Sequence, residues 1–145
     1  MLIKVRDANG ACLFNVWDHE THGIATILDL RKKIHVITDV PLEEIVVKAP
    51  SSKAVLGDMA GVAKHAGQDS PLEFEINIIR INMQDSARKD CFHSAYVLPD
   101  ETILAECARK GLGSSLRFVV HRDQSIGTRR RFSDCAIKTN DTIAF

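Results

Sequence analysis

Apolar positions along this chain switch between two periods. Residues 1–6 alternate, with Met1, Ile3 and Val5 opposed to Leu2, Lys4 and Arg6, the period of two expected of a half-buried strand. Asp7-Ala8-Asn9-Gly10 reads as a tight turn in which Asn9-Gly10 supplies positive φ angles, and Cys12 to Trp17 as the returning strand. After the polar stretch Asp18 to Gly23 the period lengthens. Ile27, Leu30 and Ile34 recur at helical spacing, while Arg31, Lys32 and Lys33 fall on the solvent side. Thr26 is the predicted N-cap, with Asp29 three residues on completing an approximate capping box. Pro41 blocks continuation of the helix, and Glu43 to Lys48 predicts a third strand.

Residues 49–70 are rich in Ala, Gly, Ser and Lys, with a short helical turn predicted around Val62 to Ala66. Pro71 then introduces a long strand that changes phase. Leu72, Phe74, Ile76 and Ile78 share one parity, and Ile79, Ile81 and Met83 share the other. A one-residue slip moves the apolar set to the opposite face, so the chain is expected to leave one sheet near Ile78 and enter another at once. A bulged strand in a single larger sheet is the alternative.

The earlier sequence of elements then recurs. Gln84 to Asp90 is a polar turn, Cys91 to Leu98 a strand, and Thr102 to Lys110 a helix with Ile103, Leu104 and Cys107 apolar. Gly111 and Gly113 end that helix. Leu116 to His121 is the next strand, and Thr142 to Phe145 closes the chain. A strand hairpin precedes each helix, and a strand, a Gly-containing loop and a last strand follow it. A repeated unit directs the search for function to surfaces rather than to a catalytic pocket.

Composition sharpens this picture only slightly. The 145 residues are 45% hydrophobic and 26% charged, ordinary for a globular protein, and are enough for one medium domain or two of about 70 residues. No apolar run approaches the ~20 residues that cross a bilayer, and Met1 leads directly into strand-like sequence rather than a signal peptide, so a cytoplasmic or nuclear location is the default expectation. Cys12, Cys91, Cys107 and Cys135 form no CxxC pair, which points to free thiols rather than a zinc site. Net charge is zero but unevenly spread, with 8 Lys/Arg against 11 Asp/Glu in residues 1–76 and 11 against 8 in residues 77–145. Oppositely charged lobes are expected to contact each other or to present different partner surfaces.

The order of elements resembles the ubiquitin family. The opening MLIKV with its Gly10 turn, the helix TILDLRKKI followed by Val40-Pro41, and the stretch RFSDCAIKTNDTIAF from Arg131 to Phe145 carry the resemblance. Two arrangements fit it: one ubiquitin-like domain split by a long insertion, or two in tandem. The tandem reading is favoured, because residues 49–76 can complete a first lobe and 78–120 can begin a second. The fold class implied is α+β: two tandem ubiquitin-like β-grasp lobes, residues 1–77 and 78–145, each a mixed sheet with one main helix packed on it. A Ras-association-like lobe is a related alternative. Conjugated modifiers of the family end in a glycine pair, whereas this chain stops at Thr142-Ile143-Ala144-Phe145, near the middle of the expected last strand. A modifier role is therefore the second reading, and it requires a longer transcript.

The resemblance also implies binding positions. Ubiquitin is recognised through an apolar patch on its sheet, and alignment puts Ala8, Val47 and Glu75 at its three positions in the first lobe, with Lys48 beside them. Glu75 puts a charge where an apolar group is usual, and burying it unpaired in an interface would cost several kcal/mol. In the second lobe Val120 takes the central position.

Basic residues form the other candidate. His121-Arg122 and Arg129-Arg130-Arg131, with Arg117 on the neighbouring strand, are the densest cluster, and guanidinium forks suit carboxylates and phosphates. A solvated loop is the plainer reading, an acidic protein segment the next. Nucleic acid is disfavoured, because aromatic stacking platforms are few. His19 and His22 in HETH lack the helical spacing of a zinc motif, and Trp17 reads as core or lobe contact. Cys91 and His93 share a strand face but lack a third catalytic group. The expectation is thus a non-catalytic protein–protein interaction module, an adaptor or the N-terminal region of a larger ubiquitin-pathway or signalling protein. Its partners are proteins, acidic segments among them, with no cofactor, metal or membrane. Substituting Val47→Asp or Arg130→Glu is expected to abolish partner capture and leave the fold intact.

Overall fold

Thr26 caps the first helix as its position predicts. Its hydroxyl accepts from the N–H of Asp29 at 3.3 Å, and the Asp29 carboxylate accepts from the N–H of Thr26 at 3.1 Å, which satisfies two otherwise orphaned donors. The resulting helix α1, Ile27–Thr38, buries Ile27, Leu30, Ile34 and Thr38 and ends at Asp39 in the left-handed conformation. The computed structural model describes residues 2–16, 23–49, 52–62, 72–85, 88–112 and 116–145, with the side chains of 88–92 excepted. Trp17, Asp18, His19, Glu20, His22, Ala66, Pro71 and Gly113 lie outside the described residues.

The chain divides into two compact units, Met1–Asn77 and Ile78–Phe145. In the first, β1 (Ile3–Arg6), β2 (Cys12–Val16), β3 (Val47–Lys48) and β4 (Leu72–Ile76) form a mixed sheet in the order β2-β1-β4-β3. β1 and β4 run parallel at its centre, with Ile3 opposite Leu72 and Val5 opposite Phe74. All four of these side chains are buried.

The second unit repeats the plan. β5 (Ile79–Asp85), β6 (Arg88–Val97), β7 (Phe118–His121), β8 (Gln124–Gly127) and β9 (Thr142–Ala144) form a mixed sheet in the order β6-β5-β9-β7-β8. β5 and β9 are its parallel pair. Helix α2, Ile103–Arg109, buries Ile103 and Cys107 in a core with Ile81, Val97, Phe132 and Ile143. Two mixed sheets, each with a helix in its crossover, make the chain α+β. Both strand orders are compatible with a β-grasp, in which the last strand enters beside the first.

The two helix starts are anchored alike. The N–H groups of Ile27 and Leu28 donate to the carbonyls of Ala60 and Asp58 at 2.9 and 3.0 Å. Those of Ile103 and Leu104 donate to Arg130 and Thr128 at 2.9 and 2.7 Å. The caps themselves bridge Gly61 and Arg131: Thr26 to the one, Thr102 to the other. Acceptor spacing is the same in both units, and the next residue in each, Val62 or Phe132, is buried.

Several elements differ from the sequence expectations. Residues 42–44 form a 3-10 turn and only Val47–Lys48 is strand, because Arg31 takes the carbonyls of Leu42 and Ile45 out of any ladder. In the first turn only Gly10 has positive φ, at 85°. Asp7 organises it instead, its buried carboxylate accepting from the N–H groups of Asn9 and Ala11 at 2.8 and 3.0 Å. β6 starts at Arg88, so the turn before it is shorter than 84–90. Gln124–Gly127, expected within a loop, is strand β8. Arg122 and Asp123 both take positive φ, 51° and 62°, the conformation that reverses a two-residue hairpin.

Candidate functional site

Sheet register decides which side chains face outward. In the first unit Val47 pairs with Ile76 and Lys48 with Glu75, so Val47 shares the core face of Ile76 and Phe74. Its exposure is 1%. The expectation that Val47 centres an open patch is corrected: the alignment was one residue out of phase with the pleat, and Lys48 is the outward neighbour. Val47→Asp would place a carboxylate in the core, so the substitution tests folding rather than recognition.

The outer face of this first sheet is charged. Arg6 stands opposite Glu75 on β4, and Lys48 stands opposite it on the other side. The Arg6 guanidinium lies 3.3 Å from Glu73, and its hydrogen bond holds that carboxyl below the usual carboxylate range. Lys4 lies 3.9 Å from the same group. Glu75 is largely covered and paired with Lys53, so it is not the unpaired carboxylate anticipated. Ala8 is exposed in the β1–β2 turn. Ala8, Lys48 and Glu75 gather at one end of the sheet, but what they surround is an ion-paired surface and not an apolar one.

The outer face of the second sheet has a different chemistry. Ile79, Ile81, Met83, Val119, Ile126 and Ile143 point to the core, which turns their alternating neighbours outward. A row across four strands runs Gln84, Ala144, Val120, Ser125. Arg80, Asn82, Thr142 and Phe118 share that face. Phe118 and Val120 are 63% and 43% exposed. Opposite Phe118 stands Gly127, where an added Cβ would meet nothing within 4 Å. Phe118 therefore borders an open shelf. Val120, expected at the centre of a patch, is on this outward face. Phe118 was missed, although its parity with Val120 on one strand was the available signal.

The arginine cluster divides in two. Thr128 N–H donates to the Arg117 carbonyl at 3.0 Å, which brings Arg117 beside Arg129, Arg130 and Arg131. Arg122 sits in the β7–β8 turn at the far end of the ribbon, five residues from Arg117 and so roughly 16 Å away. It lies 3.6 Å from Asp141. His121 is no part of an exposed cluster either. It is buried, and its Nε2 donates to Asp141 at 2.9 Å.

Arg117, Arg129, Arg130 and Arg131 are all exposed. Among the described residues, Arg6, Arg31, Arg109 and Arg122 each have a carboxylate within 4.0 Å, and these four have none. The guanidinium of Arg130 donates only to the backbone carbonyl of Asp134, at 3.1 Å.

The thiols and histidines are dispersed among the described residues. Burial, with Glu106 adding to it, pushes the Cys107 thiol up to about 11, which suits an inert core group. His93 is exposed on β6, and the side chain of Cys91 lies outside the described residues. Among the described residues no group of three His, Cys, Asp or Glu could hold a metal ion. Among those residues no helix is long and apolar enough to cross a membrane.

No family model and no curated protein matches this chain. Among solved structures it is similar to Caldiarchaeum Subterraneum Ubiquitin, with 14% identity and a TM-score of 0.39, over 46% of this chain and 89% of that one.

Proposed function

We propose that the chain is a non-catalytic protein–protein interaction module of two tandem ubiquitin-like lobes, and that the outer face of the second sheet is its principal binding surface. One observation carries this reading: Phe118 and Val120 lie exposed on the same face of β7, beside Ala144 and the bare Gly127. Single exposed apolar groups are ordinary, but adjacent ones on an open face with few charges supply the buried centre of a protein interface. The first sheet offers no such centre, since its outer face is crossed by Lys4, Arg6, Lys53, Glu73 and Glu75 in ion pairs. Two carriers of this role fit the reading, an adaptor and the interaction region of a larger signalling protein, in the cytoplasm or nucleus.

The test compares captured proteins for the unaltered chain and for Phe118→Asp and Val120→Asp. Both side chains stand outside the core, so each variant is expected to keep a native amide spectrum while losing its partners. If both folded variants capture the same proteins in the same yield, this face is not the binding surface.

A further inference from the structure

We infer that the end of the β7–β8 ribbon docks an acidic protein segment, with an apolar residue of that segment resting on the shelf between Phe118 and Gly127. The inference rests on the reading of this face as an interaction surface and adds the chemistry of the occupant. Arg117, Arg129, Arg130 and Arg131 bring four exposed arginines to one end of the ribbon, and among the described residues none of them has a carboxylate within 4.0 Å. Arg6, Arg31, Arg109 and Arg122 each pair with a carboxylate, and Arg80 meets Asn140 instead. Four exposed arginines without such a partner, on adjoining stretches of backbone, leave a positive surface complementary to an acidic chain.

The backbone beneath these side chains is held, unlike that of a solvated loop. Thr128 N–H donates to Arg117, Thr128 C=O accepts from Leu104, Arg130 N–H donates to Gly127 at 3.2 Å, and Arg130 C=O accepts from Ile103. Thr128 Oγ1 donates to the carbonyl of Leu116 at 2.6 Å. The run from Gly127 to Arg131 is thus fixed to β7 on one side and to the start of α2 on the other. Arginines displayed on a fixed backbone lose less freedom on binding. Gly127 adds room for an apolar group, because it stands opposite Phe118 in the ribbon and a Cβ there would meet nothing within 4 Å. Nucleic acid fits less well, since among the described residues Phe118 is the only aromatic of the large exposed apolar side chains, Val36, Val55, Met59, Phe118 and Val120, and stacking on single strands calls for several.

The experiment is an amide NMR titration of the whole chain at low salt with a synthetic ten-residue Asp/Glu peptide carrying one central Leu. Parallel titrations use the same peptide with Ser for Leu, and an oligothymidylate of equal charge. Saturable shifts at residues 116–118 and 127–131, weakened by added salt and by the Leu-to-Ser change, are the expected result. The combined Arg129→Glu, Arg130→Glu and Arg131→Glu variant is expected to bind at least tenfold more weakly. Gly127→Leu, which fills the shelf, should weaken the Leu peptide alone. The proposal is overturned if no shifts arise at those residues, if the charge-reversed variant binds within twofold of the unaltered chain, or if oligothymidylate binds as tightly as the peptide. Should the peptide fail while Val120→Asp still abolishes protein capture, the acidic occupant is wrong and the interaction surface stands.

Discussion

Arg130 accepts a hydrogen bond from the N–H of Ile103 at 2.9 Å through its backbone carbonyl, while its side chain lies exposed. One residue thereby anchors the start of α2 and displays a cation, and the two roles use different atoms. Arg130→Glu is expected to change unfolding free energy by less than about 0.5 kcal/mol, as exposed substitutions usually do. Thr102→Ala, which removes the hydroxyl that accepts from Ala105 at 3.1 Å, is expected to cost about 1 kcal/mol. Urea unfolding of both variants checks the contrast. Equal losses would mean that the Arg130 side chain carries structural weight.

Arg31 is the staple of the first unit. Its guanidinium donates to the carbonyls of Leu42 and Ile45 and lies 2.6 Å from Asp58, with its side chain 15% exposed. Arg31→Ala strands two carbonyls and a carboxylate, a loss of about 2–4 kcal/mol. Arg31→Lys should recover little of it, because an ammonium cannot span the three acceptors of the planar fork. Full recovery by lysine in urea unfolding would show that charge, not geometry, matters here.

The second unit has an acid-sensitive link. Burial pushes the Asp141 carboxyl up, but hydrogen bonds from Lys138 N–H and His121, with the charge of Arg122, outweigh it and leave the group below its ordinary 3.8. A depressed carboxyl contributes stability that is present above the unfolded value and lost as pH falls through the folded one. Unfolding followed through amide signals of residues 78–145 should therefore show stability steady down to about pH 4.5 and falling below it. Asp141→Asn should flatten part of that fall and lower stability by about 1 kcal/mol at pH 7. An unchanged acid limb in the variant would place the sensitivity elsewhere.

The β7–β8 turn holds Arg122 and Asp123 at positive φ, which residues bearing a Cβ adopt reluctantly. Replacing the pair by Arg122→Asn and Asp123→Gly should raise stability by about 1 kcal/mol. A destabilised double variant would show that the Arg122–Asp141 contact outweighs the backbone strain.

Much of this architecture was legible in the alternation of side chains. The Ile27, Leu30, Ile34 face, the Thr26–Asp29 capping box and the change of parity after Ile78 are local patterns, and local backbone geometry expresses them directly. The strand β8 was not, because Arg122-Asp123 is no common hairpin pair and Ile126 is a lone apolar residue in a polar run. Val47 was misplaced because a two-residue strand has no alternation of its own to fix its phase. Only pairing with Ile76 and Glu75 did that.

The sequence by itself determined both helices, the opening hairpin and the change of parity after Ile78, since these follow from periods of two and 3.6 along one chain. Only the tertiary structure decided which charges are paired and which remain open. Glu73 and Glu75 come opposite Lys4 and Arg6 through a parallel strand from nearly 70 residues away, while Arg117 is bonded to Thr128, next to Arg129, and neither arginine has a carboxylate within 4.0 Å among the described residues. Electrostatic neutralisation depends on distances of a few ångströms between residues remote in sequence, and those distances exist only once the strands have paired.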